Sequence, residues 1–119
     1  MKSDEKRHLT SLVSALHWMR KQKDRQGGEW EMSAKEMEAL MLVALKPNEF
    51  SLRGLAAALD VPPGAMTTRL FDRLGRGSIR TRGLELIDGV DVPENRRIKL
   101  LFLTNKGEQA LSRMLDTSF

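Results

Sequence analysis

No cysteine occurs among the 119 residues. That excludes disulfides, thiolate nucleophiles, cysteine zinc sites and thiol redox sensing. Tyrosine is also missing, and aromatic residues make up only 5% of the chain. No apolar run approaches the length of a membrane span, and no secretory apolar core follows the lysine-bearing N-terminus. The expectation is a cytoplasmic protein without a membrane partner. Of the two histidines, His8 and His17 stand nine positions apart, which puts them on different faces of one predicted helix. No glycine-rich nucleotide loop follows a strand, and no histidine–carboxylate cluster has metal-ligand spacing. The reading is therefore not an enzyme, with no cofactor and no metal, and His8 and His17 as surface residues.

What the chain does have is positive charge in blocks. The formal charge is +4 and the isoelectric point about 9.8, which favours a polyanionic partner. Residues 1–26 carry seven basic and three acidic side chains, and residues 63–99 carry eight and five. Residues 27–62 reverse the balance, with three basic and six acidic. A solvated surface with chance clustering would give the same totals, so the arrangement of the arginines has to decide.

Apolar periodicity predicts a first helix over 4–25, with Leu9, Leu12, Val13, Leu16 and Met19 on one stripe and Gln26-Gly27-Gly28 stopping it. "MSAKEM" is a second helix start. Ser33 can cap, Glu36 stands at the capping-box position, and Met32 can pack on Met37. Met37, Leu40, Met41 and Ala44 face one way, and Pro47-Asn48 ends that helix. The stretch "SLRGLAAALDVPPGAMTTRLFDRLG" then reads as two short helices. Ser51 caps the first, Asp60-Val61-Pro62 makes the turn, Pro63 suits the first helical position of the second, and Gly75 and Gly77 end it. Residues 84–90 and 98–103 read as strands joined by the loop 91–97, and Thr104 caps a final helix carrying Ala110, Leu111, Met114 and Leu115. The expected fold is α+β, mainly α: one winged helix-turn-helix domain over 1–119 with a two-stranded β-hairpin wing. Residues 1–26 are its N-terminal helix and a candidate dimerisation element, 33–103 the helix-turn-helix and wing, and 104–119 the C-terminal helix.

In the second helix of the pair, Met66, Leu70 and Leu74 cluster on one side and are expected to face the core. Ala65, Thr68, Arg69, Asp72 and Arg76 lie roughly opposite, with Arg73 on the flank; Thr67 is counted with the candidate contacts. Small residues at a helix start allow close approach to a base edge. Arginine can then donate two hydrogen bonds to guanine, and threonine can serve a phosphate, a base edge or a thymine methyl. Asp72 would repel phosphate unless it pairs with Arg76 or accepts from a cytosine amino group. An isolated basic helix is more often a plain solvated face, but here a hairpin with a basic tip follows.

That tip lies in "VDVPENRRIKLLFLTNKG", residues 90–107, where two arginines precede an apolar strand. Arg96 and Arg97 are placed to enter a minor groove, whose negative potential attracts arginine. Pro93 and Glu94 shape the turn, and the Asn95 carbonyl oxygen could orient a neighbouring guanidinium. Residues 100–103 anchor the hairpin in the core.

Asn95-x-Arg97-x-x-x-Leu101-x-Leu103-Thr104-x-x-Gly107 resembles the wing signature of the MarR family of winged-helix transcriptional regulators. "LAAALDVPPGAMTTRLFDRL" is similar to that family's helix-turn-helix, and the resemblance covers about residues 35–112. It implies a cytoplasmic regulator, usually a homodimer on a pseudo-palindrome, often a repressor relieved by a small-molecule effector. It also implies that Arg97 is the arginine entering the minor groove. The chain departs from the pattern in three places. Asn95 stands where the family has an aspartate, exchanging an ion pair for a neutral hydrogen bond. The stretch 72–84 is longer than the usual connection and adds Arg76, Arg80 and Arg82, an expected phosphate-contacting loop. Fifteen residues follow Thr104, where family members continue through long helices that build the dimer and wall the ligand pocket. The first helix is the replacement expected for dimerisation, its apolar stripe meeting either the final helix or a second copy. Trp18 and Phe119 would suit such an interface.

The resulting expectation is a sequence-specific double-stranded DNA-binding regulator. Thr68 and Arg69 would touch bases, Arg73, Arg76 and Ser51 phosphates, and Arg96 and Arg97 the wing's groove. Two alternatives stay open: a winged helix used for protein contact, and a plasmid or phage accessory DNA-binding factor.

Overall fold

Three hydroxyl side chains start three of the helices. Ser33 Oγ accepts from the Glu36 N–H while the Ser33 N–H donates to Glu36 Oε1, a complete capping box. Ser51 Oγ accepts from the Gly54 N–H, and Thr104 Oγ1 from the Gly107 N–H. Each satisfies a backbone donor that the first helical turn leaves without a carbonyl. The computed structural model describes residues 1–23, 29–78 and 83–115. In chain order these form α1 (Ser3–Met19), β1 (Gln22–Lys23), β2 (Glu29–Trp30), α2 (Ala34–Leu45), α3 (Leu52–Ala58), α4 (Ala65–Leu74), β3 (Ile87–Val92), β4 (Asn95–Leu103) and α5 (Asn105–Met114). No described helix is long and apolar enough to cross a membrane.

The first helix is shorter than its periodicity suggests. It ends at Met19, and Gln22–Lys23 pairs with Glu29–Trp30 in antiparallel register. The cause is tertiary: the Met32 N–H bonds to the Met19 carbonyl at 2.8 Å, which brings Met32 back into the core, where it is fully buried. The expected stripe divides between core and surface. Ala15 and Met19 are buried and Trp18 packs on the core, whereas Leu9, Leu12, Val13 and Leu16 are between 44% and 57% exposed. Small side chains at Ser11, Ser14 and Ala15 let α1 lie close, and the larger apolar residues point away.

The link between α3 and α4 closes with two hydrogen bonds, Val61 N–H to the Ala56 carbonyl and Asp60 N–H to the Ala57 carbonyl. With Asp60 at φ 58°, this is a Schellman ending in which aspartate takes the left-handed position glycine usually holds. The turn therefore rests on Asp60 more than on Pro62. Pro63 is not the first helical residue: α4 begins at Ala65, with Gly64 at the cap in a backbone conformation (φ 132°) that favours glycine.

After α4 the chain doubles back on it. The N–H groups of Leu84, Leu86 and Glu85 donate to the carbonyls of Arg73, Leu74 and Gly75 at 2.8–2.9 Å. Carbonyls at a helix end lack partners within the helix, and here 84–86 supplies them. Those residues are consequently not in the strand, which starts at Ile87 instead of 84. β4 carries its own tertiary tie. Leu101 donates to the Phe50 carbonyl and accepts from the Asn48 N–H, both at 2.9 Å, so the connection between α2 and α3 borders the hairpin. Leu101 is wholly buried with Leu40, Val43, Leu55, Leu74, Ile87 and Met114. The core thus anchors the base of the hairpin and leaves its far end in solvent.

Candidate nucleic-acid interface

The surface of α4 follows from where its apolar residues go. Leu70 and Leu74 are buried, and Thr68, Arg69 and Arg76 are exposed, with Asp72 half-buried. Thr67 is 3% exposed, which removes it from any outward face. At 100° per residue its direction falls within about 20° of Leu74 and 60° of Leu70, so it is part of the packed side. Its Oγ1 is buried without a hydrogen-bond partner among the described residues. The Ala65 and Met66 side chains lie outside those described.

Two of the expected phosphate contacts are engaged within the protein. Arg73 Nε donates to Glu36 Oε2 at 2.6 Å, and its Nη2 lies 3.4 Å from Oε1. The Glu36 side chain is 6% exposed and that of Arg73 28%. One carboxylate therefore closes the α2 cap and tethers the C-terminal half of α4. Arg73, expected on phosphate, is engaged in this ion pair within the protein. Arg76 Nη2 bonds Asp88 Oδ2 at 2.9 Å, not Asp72, and remains 81% exposed. It links the end of α4 to the base of β3, in a geometry that leaves most of its guanidinium in water. Ser51 spends its oxygen as acceptor on the α3 cap, which leaves its hydroxyl hydrogen to donate. Arg80 and Arg82 lie outside the described residues.

The hairpin is longer than expected, because β3 runs to Val92 and β4 starts at Asn95, so only Pro93 and Glu94 remain at the tip. Arg96 and Arg97 accordingly belong to the strand and not to a loop. Their position in it is irregular: Asp91 pairs with Lys99, but Val92 pairs with Asn95. Arg96, Arg97 and Ile98 have no counterpart in that register, and β4 bulges there. A bulge turns side chains away from regular alternation, and Arg96 and Arg97 are both exposed. Asn95 Oδ1 accepts from the Arg97 backbone N–H at 3.1 Å. It braces the bulge, in place of the guanidinium contact expected from sequence.

A cleft of about 330 Å³ lies between the start of α2 and α4, lined by Ser33, Lys35, Glu36, Arg69, Leu70 and Arg73. Sequence reading placed Glu36 only in a cap, and gave Asp88 and Lys35 no part. Glu36 and Asp88 each meet an arginine distant in sequence, and pattern alone carries no signal for that. Among the described residues, no group of three or more histidine, aspartate or glutamate side chains could hold a metal ion.

No protein-family model matches the chain, and no curated protein matches it. A solved structure does: the PcaV transcriptional regulator from Streptomyces coelicolor, a MarR-family protein crystallised with its natural ligand. The TM-score is 0.59 at 19% identity, over 92% of this chain and 66% of the other. The chain has the MarR-type winged-helix fold. In this winged helix α3 and α4 are the helix-turn-helix, and β3–β4 is the wing. The signature Leu103-Thr104-x-x-Gly107 acquires a structural reason as well. Thr104 Oγ1 donates to the Glu85 carbonyl at 2.6 Å and the Thr104 N–H to the Leu86 carbonyl at 3.0 Å. Gly107 lies so close to Leu86 that a side chain would collide with its carbonyl oxygen. The motif docks the wing's last strand and α5 onto the segment that ends α4.

Proposed function

We propose that this winged helix is a sequence-specific double-stranded DNA-binding transcriptional regulator, acting as a repressor, with α4 in the major groove and the wing at the adjacent minor groove. The observation that carries the reading is the exposure of Thr68 and Arg69 on α4 and of Arg76 just past its end, together with Arg96 and Arg97 on the bulged wing strand. Thr68 and Arg69 are the base-contacting pair and Arg97 the minor-groove arginine. The likeness to a transcriptional regulator supports the same reading. In the test, fluorescence anisotropy compares DNA from upstream of the protein's own coding region with scrambled DNA over a salt series. Wild type should bind the former specifically, and more weakly as salt rises. Arg69→Ala should cost about 1–3 kcal/mol and relax preference at one base position. Uniform weakening across unrelated DNAs would remove Arg69 from base reading, and no binding at low salt would turn the reading toward a protein partner.

The exposed stripe Leu9, Leu12, Val13 and Leu16 supports a homodimer through α1. Contiguous large apolar residues on a protein surface mark interaction sites, and this stripe remains about half exposed. Leu12→Lys combined with Leu16→Lys should shift sedimentation from a dimer to a monomer near 13.5 kDa. A wild type that sediments as a monomer at every concentration would refute the dimer.

A further inference from the structure

We infer that the cleft between α2 and α4 seats a backbone phosphate of the bound DNA, and that Lys35 is the residue holding it. The inference rests on the DNA-binding reading and adds α2 to the contact surface. Three cations line this cleft, Lys35, Arg69 and Arg73, against one carboxylate, Glu36. Glu36 is already committed, to the Ser33 N–H and to Arg73. Among the described residues, neither Lys35 nor Arg69 has a carboxylate partner.

Lys35 also stands in the first turn of α2, where the partial positive charge of a helix disfavours a cation. It is exposed and buries nothing in the core, so fold stability does not account for a lysine there. Its location does have a use in binding. Arg69 forms the opposite wall and projects from the surface that faces DNA. Because Lys35 and Arg69 line one cleft, a strand bordering the groove that Arg69 enters is the one whose phosphate the lysine would hold. A lysine ammonium suits a phosphate as a point charge without demanding bidentate geometry.

The test measures wild type, Lys35→Ala, Lys35→Arg and Arg69→Ala by anisotropy on specific and scrambled DNA between about 0.05 and 0.5 M salt. One lost phosphate contact lowers the log–log salt slope by about 0.9, and so weakens binding roughly eightfold at 0.1 M relative to 1 M. Lys35→Ala should show that loss equally on both DNAs, keeping the specificity ratio of wild type, and Lys35→Arg should recover most of it. An unchanged slope and affinity in Lys35→Ala, while wild type binds, would overturn the inference alone. A changed specificity ratio would overturn it too, because a phosphate contact is blind to sequence. A wild type that binds neither DNA would instead overturn the reading beneath it. Thermal unfolding serves as the control: Lys35→Ala should melt no lower than wild type, since the cation sits at an unfavourable helix position.

Discussion

Arg73→Ala should destabilise the protein by about 3 kcal/mol, far more than a lost surface contact. Removing one partner of a buried ion pair leaves the other charge dry and unpaired, which costs about 3–5 kcal/mol. Here the stranded group is Glu36, whose side chain is 6% exposed and, among the described residues, keeps the Ser33 N–H as its donor once Arg73 is gone. The 28% exposure of Arg73 argues for the lower end of that range, because water reaches its side of the pair. The melting temperature should fall by on the order of 10 °C. The decisive comparison is the double variant Glu36→Gln with Arg73→Met. Glutamine retains the capping oxygen, no charge remains buried, and most of the loss should be recovered. If Arg73→Ala melts like wild type but binds DNA more weakly, the ion pair is not what Arg73 is for, and the phosphate role expected from sequence returns.

Gly107→Ala should cost about 1–3 kcal/mol, against the direction helix propensity predicts. Alanine within a helix normally gains about 1 kcal/mol over glycine. At this position the added methyl would collide with the Leu86 carbonyl oxygen and meet Leu103 Cδ2 at 3.4 Å. That carbonyl cannot swing aside freely, because it accepts the Thr104 N–H. Relief requires α5 to move off Leu86, loosening the Thr104 ties to 85 and 86, and overpacking of this kind outweighs the propensity gain. Gly54→Ala in α3 is the control. Its added methyl would find only Ser51 Oγ at 3.4 Å and Phe50 at 3.7 Å, so propensity should prevail and the variant should melt slightly higher. Equal behaviour of the two variants in thermal unfolding would show that the close approach at Gly107 does not constrain the fold.

Local chemistry was enough to determine much of this protein. Ser33, Ser51 and Thr104 start their helices because a hydroxyl one position ahead of a helix finds its N–H partner within the same few residues. The core residues Leu40, Leu55, Leu74 and Leu101 follow from spacing, and the outward face of α4 follows from Leu70 and Leu74. The order of the helices and the hairpin after the helix-turn-helix were legible for the same reason, and with them the fold class, whereas the short β1–β2 pair was not. The tertiary structure alone decided matters in which two distant segments compete for one group. That Arg73 pairs with Glu36, from α2, has no signal in the spacing of either residue. Residues 84–86 look like strand until the carbonyls at the end of α4 take their N–H groups. The apolar stripe of α1 suits a core face or a partner equally by spacing, and the packing buries Met19 while leaving Leu9, Leu12, Val13 and Leu16 about half exposed. A side chain's partner depends on what the whole chain brings within a few ångströms, and one-dimensional spacing holds no record of that.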